Sequence, residues 1–87
     1  MPPPPSPLSH DEWELVVASL RLTPREADVV DLLLRGLCDK QIAASAGLKV
    51  STVRSHFRQI FTRLDLGDRV RLVLRVFEVV RGKPPQN

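Results

Sequence analysis

Within residues 52–64 of this chain, arginines and small hydroxyls recur at helical spacing beside a separate apolar stripe. At about 100° per residue, Val53, Phe57, Ile60 and Leu64 share one narrow arc, and Arg54, Ser55, Arg58 and Thr62 lie opposite. An arginine can meet guanine O6 and N7 with two parallel hydrogen bonds, and a helix is the right width for the major groove of a DNA duplex. A helix anchored on one side and bearing Arg54, Ser55 and Arg58 on the other is therefore expected to read base edges. Ser51 and Thr52 sit at its start, where free N–H groups and the positive dipole end suit a phosphate. Lys40, Thr62, Arg63 and Arg69 are further phosphate candidates, setting register without reading sequence. Lys40 and Arg63 could equally pair with Glu26 or another acid.

Charge distribution points the same way. Net charge is only +3, but residues 1–47 hold 4 basic and 7 acidic side chains, whereas residues 48–87 hold 9 basic and 3 acidic. A basic half joined to an acidic half suits a polyanion partner. A single cysteine, Cys38, excludes an internal disulfide and any multi-cysteine zinc site. His10 and His56 lack metal-ligand spacing, so no metal and no cofactor is expected. No nucleophile–base pair, carboxylate pair or glycine-rich phosphate loop appears, and an enzyme is not expected. Without a membrane-length apolar run or a secretory signal, the expectation is a cytoplasmic protein.

The elements that position these residues have start and stop signals in place. Ser9 with Glu12 fits a capping box for a short helix over 10–20, with Trp13, Val16, Val17 and Leu20 at helical spacing. Thr23-Pro24-Arg25-Glu26 adds proline at the first helical position, and Ala27, Val30, Leu33 and Leu34 form the expected apolar stripe. Gly36 stops that helix. The next runs about 39–46, with Ile42, Ala43 and Ala46 inward and Gly47 at its end. Ser51 is the expected cap of a helix beginning at Thr52. Asp65-Leu66-Gly67 breaks it, and Asp68 caps a last helix, Arg69–Arg81.

From Leu22 to about Arg81 the chain resembles the LuxR-type (GerE/NarL-like) helix-turn-helix domain of bacterial transcription regulators. The matching motifs are LTPRE at 22–26, LLLRG at 32–36, KQIA at 40–43, STVRSH at 51–56, IFTRL at 60–64, then Asp68-Arg69 with Val73. They span about 60 of 87 residues. The resemblance implies an all-α fold, a tri-helical core plus C-terminal helix, here with an extra short N-terminal helix. It also implies base contacts from the residues after the STV signature, which are Arg54, Ser55 and Arg58, and dimerisation through the fourth helix. His56 matches a usual family histidine, implying a packed, hydrogen-bonded core role. Cys38 stands where the family normally has a serine cap, and a thiol caps more weakly. Asp65 and Leu66 replace glycine and valine, yet aspartate tolerates the left-handed conformation.

The expected organisation is a disordered proline-rich tail over 1–9, the N-terminal helix over 10–21, the helix-turn-helix domain over 22–82 and a disordered tail over 83–87. About 21 residues precede LTPRE, too few for the receiver or ligand-binding domain that many family members place there. In the last helix apolar residues cover roughly 220° of the wheel, against the roughly 100° needed to dock on one core. The resemblance places Leu72, Val73 and Val76 inward, leaving Val70, Leu74 and Phe77 for a second surface. Either a second copy covers that patch, or the N-terminal helix does so through Trp13, Val16 and Val17; the homodimer is the preferred reading. The expected function is a sequence-specific regulator of transcription on double-stranded DNA. The alternatives are a decoy that pairs with a full-length regulator and a sigma region-4-like module contacting RNA polymerase.

Overall fold

A computed structural model describes residues 2–82, and the expected tail over 83–87 lies outside the described residues. Five helices follow in order: α1 His10–Leu20, α2 Pro24–Leu34, α3 Asp39–Ala46, α4 Val50–Leu64 and α5 Arg69–Val80. No strand occurs among the described residues.

Local chemistry accounts for most of the boundaries. Ser9 Oγ accepts the Glu12 N–H at 3.2 Å and Glu12 Oε1 accepts the Ser9 N–H at 2.8 Å. Thr23 and Glu26 repeat the arrangement at 3.2 and 3.0 Å, with Pro24 as the first helical residue. Each box satisfies two backbone donors that a helix start otherwise leaves unpaired. Gly36 and Gly47 follow α2 and α3 with φ of +88° and +68°, the left-handed conformation that closes a helix without a Cβ penalty. Asp65 closes α4 the same way at φ +54°, so the bend survives the departure from glycine. Asp68 Oδ1 accepts the Arg71 N–H at 2.9 Å and starts α5. At the start of α3, Gln41 Oε1 reaches back to the Cys38 N–H at 2.9 Å.

One expected boundary is displaced. Ser51 does not cap a helix beginning at Thr52, because α4 already begins at Val50, with Lys49 as its N-cap residue. The Lys49 carbonyl accepts both the Thr52 and Val53 N–H groups, at 3.0 and 3.1 Å, which draws Ser51 into the first turn.

The core is shared. α2, α3 and α4 pack on one another, and α1 packs on α5. Val29, Val30, Ile42, Val53, Phe57, Ile60, Leu72 and Val76 are fully or almost fully buried. The α2 stripe differs from the expected one. Val29 and Leu32 join Val30 in the core, whereas Ala27, Leu33 and Leu34 are only partly buried. A helix that meets two neighbours buries an arc wider than one stripe, and α2 meets both α3 and α4.

Helix α1 folds back on α5 and buries Val16 and Leu20, but it leaves part of α5 uncovered. Val70 remains 68% exposed and Leu74 55% exposed. Phe77 is half-buried, and so is Val73, which was expected inward. The proline-rich head, expected as a disordered tail, lies against the domain from Pro2. Arg35 Nη1 donates to the Pro4 carbonyl at 3.0 Å, and Pro2–Pro4 share a shallow cavity with Leu37, Gln41 and Ala44.

Candidate nucleic-acid interface

Helices α3 and α4, joined by Gly47-Leu48-Lys49, form the two arms of a helix-turn-helix. Three buried side chains, Val53, Phe57 and Ile60, fasten α4 to the core. With that face committed, the opposite face must point to solvent. Arg54, Ser55, Arg58, Gln59 and Thr62 are all exposed there, as is Ser51 in the first turn; Thr52 is half-buried at the edge. Lys40 is exposed on α3. The three expected base-reading residues thus occupy one accessible strip, and Ser51, Thr52 and Thr62 lie on the same helix.

Arg63 and Arg69 have other partners. Arg63 Nη2 and Nη1 lie 2.8 Å from Glu26 Oε1 and Oε2, a two-pronged pair between the end of α4 and the start of α2. Nη2 also reaches the Leu20 carbonyl at 3.5 Å. Of the two roles the sequence allowed Arg63, this geometry is that of the pairing with Glu26, which engages both prongs of its fork. Burial pushes the Glu26 carboxyl upward, but Arg63's hydrogen bonds, the Thr23 backbone N–H and Arg63's charge together outweigh it. The net result holds it below its ordinary 4.5.

Arg69 Nη2 lies 2.6 Å from Asp39 Oδ1, and its guanidinium sits 4.4 Å over the Phe57 ring. Its first role is thus to join α5 to α3 and to cover the aromatic side chain that anchors α4. Arg54 meets the same carboxylate from the other side, Nε to Oδ2 at 3.2 Å. Burial again raises the Asp39 pKa, and Arg69 followed by Arg54 reverses this to a net lowering.

Sequence reasoning missed two residues here. Gln59 follows Ser55 by four positions on the exposed face, and its amide could pair with adenine N6 and N7; helical spacing alone contained that signal. Asp39 had only a weak signal, an acid at a helix start fifteen positions before Arg54. His56 differs from expectation in one respect. It is half-buried, as a packed residue should be, but Nδ1 is enclosed without a hydrogen-bond partner.

Comparison with known proteins decides the family. The family described as GerE, bacterial regulatory proteins, luxR family, matches residues 20–76. The chain belongs to the luxR family of bacterial regulatory proteins. This luxR-family domain is similar to a protein of Aeromonas salmonicida named as an HTH-type transcriptional regulator in the exeN 3' region. The two are 44% identical over 52 residues, which is 60% of this chain and 26% of that protein. It is also similar to the response regulator protein VraR of Staphylococcus aureus, 30% identical over 57 residues, 66% of this chain and 27% of VraR. VraR of Staphylococcus epidermidis matches to the same extent. The chain thus spans about a quarter of the length of the curated relatives it matches. No solved structure matches it significantly. With the fold, these similarities make the luxR-family chain a helix-turn-helix domain of the DNA-binding regulator type. No helix among the described residues is long and apolar enough to cross a membrane.

Proposed function

We propose that this luxR-family chain binds double-stranded DNA sequence-specifically and regulates transcription, acting as a homodimer in the bacterial cytoplasm on the nucleoid. Helix α4 enters the major groove, and Arg54, Ser55 and Arg58 contact base edges. Lys40, Ser51, Thr52 and Thr62 hold the flanking phosphates, which fixes register. The observation that supports this most directly is the exposed Arg54–Ser55–Arg58 strip on a helix whose other face is buried in the core.

The uncovered part of α5 supports the dimer. Val70 and Leu74 are one helical turn apart and both more than half exposed, with half-buried Phe77 beside them. A two-fold contact there would place two α4 helices on successive turns of the groove, about 34 Å apart, to read an inverted repeat.

Selection of bound duplexes from a randomised pool, followed by fluorescence anisotropy on the selected and scrambled sequences, tests the proposal. The expected result is enrichment of an inverted repeat with tighter binding than to scrambled DNA. Equal affinity for every duplex overturns sequence specificity. Failure to bind any duplex at low salt, with capture of another luxR-family regulator, replaces the proposal with the decoy reading.

A further inference from the structure

Asp39 is the first residue of α3, and each of its carboxylate oxygens faces a different arginine. Arg69 Nη2 lies 2.6 Å from Oδ1 and Arg54 Nε lies 3.2 Å from Oδ2. Arg69 is held in turn by the buried Phe57 ring, 4.4 Å from its guanidinium carbon. A continuous chain of contacts therefore runs from the core through Phe57, Arg69 and Asp39 to Arg54 on the exposed face of α4.

The atoms involved determine what this chain of contacts can do. Arg54 is bound to Asp39 through Nε alone. Its Nη1 and Nη2 groups make up the end-on pair of donors that can form a two-pronged contact with guanine O6 and N7. A carboxylate bridging both Nη groups would compete with a base for the same donors, as Glu26 does for Arg63. A carboxylate on Nε leaves the reading edge available while restraining an otherwise mobile side chain. Arg54 needs such restraint, because its side chain is 64% exposed whereas that of Asp39 is only 18% exposed. Restricting a long side chain before binding lowers the ordering cost at the moment of contact.

We infer that Asp39 is a positioning residue for base recognition: it holds Arg54 by Nε so that the Nη edge is presented to a guanine in the major groove. This deepens the proposed function and rests on it. Asp39 also brings a negative charge close to the phosphates, which opposes binding to any duplex equally. Its removal therefore has two opposite effects. Attraction to DNA of any sequence rises, and the preference for the selected sequence falls.

That opposition supplies the test. Affinities of wild type, Asp39→Ala, Asp39→Asn, Arg54→Ala and Asp39→Ala/Arg54→Ala are measured by anisotropy on a duplex selected from the randomised pool and on its scrambled counterpart. Thermal melting is followed in parallel. Asp39→Ala is expected to bind the scrambled duplex as well as or better than wild type, with the selected-to-scrambled ratio about tenfold lower, within the range of one bidentate base contact. Asp39→Asn keeps an acceptor for Nε and is expected to retain most of the ratio. In the Arg54→Ala background the Asp39 substitution should leave the ratio unchanged. Where alanine leaves the domain unfolded at the assay temperature, Asp39→Ser replaces it, suiting a first helical turn yet too short to reach Arg54.

Three results overturn the inference. One is an equal shift on both duplexes, which makes Asp39 a charge or a fold element only. Another is a loss of ratio that persists without Arg54. A third is a wild type with no preference among duplexes, which overturns the proposed function itself and is separable because it needs no variant.

Discussion

Glu26 and Arg63 face each other from the start of α2 and the end of α4, with both nitrogens of the guanidinium fork 2.8 Å from the two carboxylate oxygens. The carboxylate is almost wholly buried, and its Oε1 also closes the capping box on Thr23. Removing one partner leaves a buried charge uncompensated, which costs about 3–5 kcal/mol in enclosed pairs. Arg63 keeps some contact with water, so Arg63→Ala is expected to destabilise by up to about 3 kcal/mol, the low end of that range. Urea denaturation measures this. The same variant, assayed below its melting transition, should bind DNA with an unaltered salt dependence; a slope smaller by about one would instead make Arg63 a phosphate contact.

The pair also sets an acid limb on stability. The Glu26 carboxyl is held below its ordinary 4.5, so the folded state favours the charged form more than the unfolded chain does. That contribution is fully present above about pH 5 and is lost as pH falls through the lowered folded value. Asp39, held below its ordinary 3.8, adds to the loss in the same direction. Thermal melting between about pH 6 and pH 3 should show a falling midpoint. Glu26→Gln should be less stable at neutral pH and fall less steeply. Parallel curves for the two proteins would exclude Glu26 as a source of the acid limb.

What the sequence revealed and what it hid divide by range. Thr23, Pro24, Glu26, Gly36, Gly47, Asp65 and Asp68 all act on backbone groups within a few residues, so their roles are legible as short patterns. The buried face of α4 is legible for a similar reason, since one helix period explains Val53, Phe57 and Ile60. Ser51 misled because it has the chemistry of a cap but stands after the Lys49 carbonyl that begins the helix. Val29 and Leu32 were hidden because α2 is sandwiched between two helices. The least visible features were the side-chain pairs across long separations, 37 residues for Glu26–Arg63 and 15 for Asp39–Arg54. Glu26 and Arg63 were possible partners in the sequence, but only the packing of α2 on α4 brings them together.

Arg58 offers the cleanest test of base reading. It is exposed at the centre of the α4 strip, and it takes part in no ion pair among the described residues. Arg58→Ala should therefore leave the melting temperature nearly unchanged, as surface substitutions usually do. Its specific DNA affinity should fall by about 1–3 kcal/mol while binding to scrambled DNA falls less. Arg54→Ala should lose a similar amount of specific binding. Affinity of the wild type should also drop steeply with salt, in proportion to the phosphates neutralised. Equal losses on specific and scrambled DNA for Arg58→Ala would move that residue to the phosphate contacts.

The exposed ridge of α5 makes a separate prediction about assembly. Helix α1 packs on α5, and Leu72 and Val76 are buried, yet Val70 and Leu74 stay exposed, so nothing within the described chain covers them. A contiguous exposed apolar patch marks an interaction surface, and Val70 and Leu74 stand one turn apart with Phe77 beside them. Leu74→Asp puts a charge at the centre of that contact without touching the core. It should sediment as a monomer where the wild type sediments as a dimer, with melting of the monomer preserved. Binding to a single half-site should survive, because α4 is unaltered. Binding to the full inverted repeat should fall by at least about tenfold, since the second half-site is no longer tethered to the first. Identical sedimentation of wild type and variant, with equal affinity for the repeat, would show that α5 is not the dimer surface.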